Sequence, residues 1–320
     1  MVYSNKLREG QNPQTWVGDP AEDGGQELRL PVPELFSFTE ALRYLNREPN
    51  ECMHAIKGDR IVKALRIGEE AAVVEVREEP SALAVRFLGE APAERWVRAE
   101  AARYVRDWFD LDTDLRPFYE LASADPLLSQ AIRAHRGLRC IGIPDLFEAV
   151  SWGILGQQIT LSFAYTLKRR LVEAYGVPVE AEGQQYWLFP TVERIASLSV
   201  SELTDLRMTG KKAEYLIEVA TRILDGRLSK EGLLDAGGCR EAEKQLVAIR
   251  GIGPWTANYV LMRCLRMATA FPIDDVGLHN AIKFAAGMDR KPTKDELKRL
   301  AVPWAGWEAY ATFYLWRLLY

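Results

Sequence analysis

The rhythm of hydrophobic and polar positions changes once along this chain, near residue 112. Before that point Leu28, Leu30 and Val32 alternate with polar neighbours, the two-residue period of a strand with one buried face. Further runs lie at Ile61 to Ile67, Ala71 to Arg77 and Ala82 to Leu88, with Val74, Val76, Leu83, Val85 and Phe87 in the pattern. Gly68-Glu69 and Glu79-Pro80-Ser81 separate them as turn material. These runs predict an antiparallel sheet, joined by a short helix over 34–46 and an amphipathic helix over 92–109. In the latter, Val97, Ala101, Tyr104, Val105 and Trp108 lie toward one side. Residues 1–25 are polar, glycine-rich and poorly patterned, and read as a mobile arm. After residue 112 the apolar positions take helical spacing. Leu161, Ala164, Leu167, Leu171 and Tyr175 form one stripe over 159–176. Asp145 and Glu148 are spaced as a capping box before FEAVSWGILGQQ. Helices are also predicted over 191–207 and 211–226, broken at Gly210, and over the aromatic-rich stretch 294–320. The expected fold class is α+β. A β-rich domain over 1–112 precedes a helical region over 113–320, itself in two lobes with a cleft between them.

One stretch, 246–280, carries the candidate chemistry. Leu246 to Arg250 ends a helix that Gly251 breaks. Gly251 and Gly253 flank Ile252, so the chain turns sharply where side chains would clash. Pro254 suits the first helical position, and Trp255 to Met267 continues as a helix. Such a hairpin aims unpaired backbone N–H groups outward at a helix N-terminus, a seat for a phosphate that needs no lysine. Asp274 and Asp275 follow, just ahead of a helix predicted from Val276, where the helix dipole favours negative charge. Taken alone, the GIGPW turn reads first as a plain helix junction, and the aspartates read first as N-caps.

Composition narrows the classes. The chain has 320 residues, 48% of them hydrophobic, which suits two or three packed domains. Its net charge is −4 and its pI about 5.7, so no general electrostatic grip on nucleic acid is expected. A DNA site here must use local basic residues and backbone amides. Cys52, Cys140, Cys239 and Cys264 show no CxxC and no metal spacing, which points to reduced thiols inside a cell. With no signal peptide and no membrane-length apolar run, the expected location is cytoplasmic. There is no Ser-His-Asp arrangement and no Walker loop. Lys168-Arg169-Arg170 reads as a solvated face, and His279 as structural.

The series L-x-x-I-x-G-I-G-P-W-T-A-N-Y followed by F-P-I-D-D resembles the helix-hairpin-helix DNA glycosylase superfamily. It is most similar to the bacterial 3-methyladenine DNA glycosylase II group. The resemblance covers residues 110–320 well, through LFEAVSWGILGQQITLSFAYTLKRRLVEAYG and FPTVERIASLSVSELTDLRMTGKKAEYLIEVATRIL among others, and the first domain more loosely. It implies a monofunctional DNA glycosylase of base excision repair. Such an enzyme flips a damaged base out of duplex DNA and hydrolyses its N-glycosidic bond, leaving an abasic site. Asp275 takes the catalytic role and Asp274 the capping role. Trp255 stands where DNA-nicking members carry a Schiff-base lysine, so hydrolysis alone is expected. The endonuclease III cysteine cluster is also absent. Trp255, Tyr259, Trp307 and Tyr310 match pocket aromatics for a cationic alkylated purine, 3-methyladenine or 7-methylguanine. Val276 replaces a tyrosine of the bacterial type and is similar to the D-L-G run of eukaryotic alkylpurine relatives. Gln158 falls at the wedge position. Gly251, Gly253 and Thr256 supply amides to the DNA backbone, and Lys211 reaches a phosphate. No cofactor is implied beyond a monovalent sodium or potassium ion on hairpin carbonyls near Gly251. The partner is damaged double-stranded DNA, bound by a monomer, with no membrane. Other readings are a glycosylase for a neutral lesion (hypoxanthine or 8-oxoguanine), a non-catalytic DNA-binding protein, and a helical scaffold.

Overall fold

The structure, a computed structural model, describes residues 27–89, 92 and 94–319. The arm expected over residues 1–25 lies outside the described residues. The first domain runs β1 Glu27–Pro31, α1 Phe38–Leu45, β2 Ala55–Lys57, β3 Arg60–Ile67, β4 Glu70–Glu79, β5 Ala82–Leu88 and α2 Arg95–Phe109. Its strands form one antiparallel sheet in the order β1-β5-β4-β3-β2, with Leu30 opposite Leu83 and Ile61 opposite Val76. The expected strands and helices are present, and the short β2 is added. Leu28, Leu30, Ile61, Leu65, Val74, Val76, Val85 and Phe87 pack on Val97, Ala101 and Val105 of α2.

The rest runs α3 Arg116–Ala124, α4 Ser129–Ala134, α5 Leu146–Leu155, α6 Leu161–Tyr175, β6 Val177–Ala181, β7 Gln184–Leu188, α7 Val192–Ala196, α8 Val200–Thr204, α9 Gly210–Leu224, α10 Lys230–Leu234, α11 Cys239–Val247, α12 Pro254–Arg263, α13 Val276–Ala285, α14 Lys294–Leu300 and α15 Glu308–Trp316. Three sequence expectations change here. The helix over 191–207 is two, because Thr191 caps α7 and Ser199 builds a capping box for α8. The C-terminal stretch is broken by a 3-10 turn at Val302–Trp304 and by Gly306 at φ +89°. The region is also not wholly helical. Strands β6 and β7 form a hairpin around Glu182-Gly183, both at positive φ, as a two-residue turn of matching twist requires. Ala181, Tyr186 and Leu188 of that hairpin cover Val62, Ala64, Val73 and Leu88 on the back of the sheet. Both faces of the sheet are therefore buried, which explains why β3 shows a continuous buried run and not an alternation.

Residue 112 marks a change of rhythm but no break in packing. One hydrophobic core extends from Leu28 to Leu315. Helices α3 and α4 pack with α15 and α13, while α5 packs with α9 and α12 and α12 with α11, giving two helical groups. The start of α13 lies where these groups meet. The run Lys168-Arg169-Arg170 fastens the first domain to α6 and is not a solvated face. Lys168 is buried against Glu51 at 3.4 Å and Glu148 at 3.1 Å. Arg169 donates to the carbonyls of Pro49, Asn50 and Glu51, and Arg170 to that of Leu206. Glu148 is thereby drawn away from the expected capping box, and only half of it forms: Asp145 accepts from the Glu148 amide at 2.7 Å. Among the described residues, no helix is long and apolar enough to cross a membrane.

Candidate active site

The hairpin between α11 and α12 is built around Ile252, which is buried as its anchor. Gly251 sits at φ +93°, and a Cβ on it would lie 2.2 Å from the Tyr215 ring. Gly253 differs from expectation. Its φ is −89° and nothing lies within 4 Å of the place a Cβ would take. The turn demands only the first glycine; the second leaves open space in front of the helix. Pro254 occupies the first helical position and no side chain caps α12, so the amides of Trp255 and Thr256 open the helix bare. Gln157 braces the turn from α5, donating to the Gly251 carbonyl at 2.8 Å and to Thr256 Oγ1 at 3.2 Å. The Thr256 methyl rests on Gly153, where a Cβ would meet it at 2.6 Å, so α5 and α12 pack closely. Gly251→Ala is expected to lower stability by about 2 kcal/mol through left-handed strain and the Tyr215 overlap. Gly253→Ala, a change at an N-cap, is expected to lower it by less than about 1 kcal/mol. Thermal denaturation separates the two, and equal losses would contradict this account of the turn.

Asp275 is the N-cap of α13, with Oδ1 accepting from the Leu278 amide at 2.6 Å. Two indoles also donate to it: Trp255 Nε1 to Oδ2 at 2.8 Å and Trp316 Nε1 to Oδ1 at 2.7 Å. The carboxylate is thus fixed by three N–H groups from three elements. The capping role expected of Asp274 belongs to Asp275 itself. Asp274 instead pairs with Lys294 at 2.5 Å, at the start of α14. Gly277 keeps this arrangement possible, since a Cβ there would meet Asp275 Oδ1 at 2.9 Å and the Trp316 ring at 3.3 Å.

Trp255, Tyr259 and Trp316 form a series of tilted rings, with centroids 5.6 Å and 6.4 Å apart and planes within about 30°. Trp152 and Tyr165, 4.6 Å apart, continue the cluster. A cavity opens behind Tyr259, walled by Trp152 and Tyr165 and, from the first domain, by Tyr44, Arg47, His54 and Lys63. Trp307 and Tyr310, expected in this pocket, lie elsewhere. Both pack on Phe118, and the Tyr310 hydroxyl donates to Asp110 at the end of α2. Six residues along α15 turn Tyr310 away from the side that carries Trp316. The further ring beside Trp255 and Tyr259 is Trp316, from the aromatic-rich stretch that the sequence marks only as helix.

Gln158 is exposed at φ +57°, in the turn between α5 and α6, directly after the residue that braces the hairpin. Lys211 is exposed in the first turn of α9, whereas Lys212 is buried and donates to the Leu155 carbonyl at the end of α5 at 2.7 Å. Val276 is 63% exposed beside Asp275. His279 is held between the carbonyls of Ile273 and Pro292, a structural place. Among the described residues, no group of three or more His, Cys, Asp or Glu side chains could hold a metal ion.

Residues 152–305 match the family described as HhH-GPD superfamily base excision DNA repair protein. Residues 26–150 match the 8-oxoguanine DNA glycosylase N-terminal domain. The chain is 54% identical over 293 residues to the DNA-3-methyladenine glycosylase of Bacillus subtilis, covering 91% of this chain and 96% of that one. It is 33% identical over 183 residues to DNA-3-methyladenine glycosylase 2 of Escherichia coli, covering 57% and 61%. The fold is that of the 3-methyladenine DNA-glycosylase from Archaeoglobus fulgidus, with a TM-score of 0.78 at 22% identity over 90% of this chain and 97% of that chain. On the family match and this identity, the chain belongs to the HhH-GPD superfamily of base excision DNA repair proteins.

Proposed function

We propose that the protein is a monofunctional DNA glycosylase of base excision repair. It hydrolyses the N-glycosidic bond of alkylated bases, 3-methyladenine and 7-methylguanine among them, and leaves an abasic site. The observation that carries this reading is the Asp275 carboxylate, clamped by Trp255, Trp316 and the Leu278 amide beside an aromatic slot. Breaking the bond builds positive charge on the sugar, and a fixed carboxylate stabilises it without having to reorganise. Oδ2 carries one hydrogen bond and retains acceptor capacity toward the sugar or a water. The electron-rich faces of Trp255, Tyr259 and Trp316 suit a flipped cationic base, which leaves as a neutral molecule and needs little further help. The similarity to proteins named DNA-3-methyladenine glycosylases supports the same class of substrate.

The bare amides of α12 and the open space at Gly253 suit a phosphate of double-stranded DNA, so an acidic protein grips through its backbone. Exposed Gln158 fills the gap left by the flipped base, and exposed Lys211 reaches a phosphate. A sodium or potassium ion suits the hairpin carbonyls: that of Gly251 accepts from Gln157 and keeps a second lone pair. The protein acts as a monomer on nucleoid DNA in the cytoplasm. Trp255 offers no amine to the sugar. Borohydride added during turnover is therefore expected to trap no covalent protein–DNA complex, and a trapped complex would overturn the monofunctional reading.

A further inference from the structure

The turn between α5 and α6 carries apolar side chains that the core does not use. Leu161 and Phe163, in the first turn of α6, are each 39% exposed. Nowhere else among the described residues do two large hydrophobic side chains stand this exposed within three positions of each other. Leu161 heads the apolar stripe of α6, yet burial begins only at Ala164 and continues through Leu167 and Leu171. Ser162 is exposed as well, so the whole tip faces solvent. The tip is pinned at three points. Gln157 ties it to the hairpin through the Gly251 carbonyl and Thr256. Ile159 packs into the aromatic cluster of Trp152, Tyr165 and Tyr259. Thr160 caps α6, its hydroxyl accepting from the Phe163 amide at 3.3 Å. Gln158 stands clear between these anchors at φ +57°.

Gln157 places this tip beside the hairpin, and the chain keeps Leu161 within roughly 11 Å of Gln158. A surface that meets Gln158 therefore meets the apolar pair as well. On the glycosylase reading above, on which this inference rests, that surface is a base pair opened by flipping. Glutamine in the gap supplies hydrogen bonds to the orphaned base but little apolar contact. The flanking base steps have lost a stacking partner. Apolar side chains entering the minor groove part such steps and kink the duplex, and they leave water in doing so. We propose that Leu161 and Phe163 are the apolar half of the wedge, entering the minor groove against the base steps beside the gap while Gln158 fills the gap itself. They select damaged over intact duplex by the ease with which a broken stack yields. No charged residue lies between Gln157 and Leu167, so this selection carries no salt dependence, unlike a phosphate contact.

The test compares wild type with Phe163→Leu and with the double variant Leu161→Ser, Phe163→Ser. It reads affinity for a duplex carrying a tetrahydrofuran abasic analogue against the same duplex intact, and the fluorescence of 2-aminopurine placed next to the analogue. Wild type is also assayed for release of 3-methyladenine. Both positions are exposed, so the thermal midpoint is expected to hold. The single serine variants decide the matter should the double variant lose its thermal transition. In the double variant the preference for the analogue duplex is expected to fall by at least about 10-fold, the scale of one stacked base, and the fluorescence rise seen with wild type to vanish. The dependence of affinity on salt stays the same. Phe163→Leu keeps most of the preference, because the groove asks for an apolar side chain and not for a ring. An unchanged preference and signal, or an equal loss of affinity on both duplexes, would overturn the inference; release of 3-methyladenine by wild type would then leave the glycosylase reading intact. A wild type that releases no base, but whose preference falls in the double variant, would remove the glycosylase reading and keep the tip as a sensor of broken stacking.

Discussion

Asp275→Asn is expected to lower the release of 3-methyladenine from methylated duplex DNA by at least about 100-fold, while binding to the same DNA is kept. The substitution is informative because of how Asp275 is held. Asparagine still offers a side-chain oxygen to the Leu278 amide, so the cap of α13 survives. With that oxygen kept at the Oδ1 place, its amide nitrogen takes the Oδ2 place and must face the Trp255 indole N–H, donor against donor. The carboxylate charge that stabilises the sugar cation is gone, at a structural cost of about 1 kcal/mol. Asp275→Ala would be the less clean variant. It removes the cap, worth about 1 kcal/mol, and leaves both indoles without an acceptor. Single-turnover release, followed by chromatography of the free base, measures the effect. Equal rates for wild type and Asp275→Asn would place the catalytic carboxylate elsewhere.

The second large effect concerns stability and reaches the pocket from behind. Lys168→Ala is expected to destabilise the protein by about 3–5 kcal/mol, because it leaves two buried carboxylates, Glu51 and Glu148, without their cation. Burial alone would raise the Glu51 carboxyl. The Lys168 ammonium outweighs burial, with help from His54, the Met53 amide and Lys63, and holds it at about 2 against an ordinary 4.5. A carboxyl depressed in the folded state adds stability above its unfolded pKa and loses it as pH falls through the folded value. Wild type should therefore shed this contribution between about pH 4.5 and about pH 2, and Lys168→Ala should show a flatter acid limb. Urea denaturation across that range tests it, and superimposable acid limbs would contradict it.

Much of this was legible in the residues, and the failures share a cause. The sheet, α2 and the hairpin follow from local rhythm and from residues with few conformational choices, such as Gly251 and Pro254. The position of Asp275 after the hairpin follows from a spacing along the chain. What could not be read is which side chains meet across the fold. Trp316 reaches Asp275 over 41 residues, and only the packing of α15 on α13 decides that it, and not Trp307 or Tyr310, faces the carboxylate. The Lys168 run looked solvated because the loop bearing Glu51 lies over a hundred residues earlier. The hairpin of β6 and β7 went unread because its strands are short and half exposed. Gln157 and Gln158 look alike in sequence. One braces the hairpin and the other stands clear in a left-handed turn, a difference set by the end of α5.

The most direct test of the central claim is a single assay on a duplex carrying 3-methyladenine, reading the free base by chromatography and the strand on a denaturing gel before and after alkali. The account predicts free 3-methyladenine and a strand that stays whole until alkali cleaves it at the abasic site. A strand nicked before alkali, or DNA that is bound and never loses its base, would contradict it.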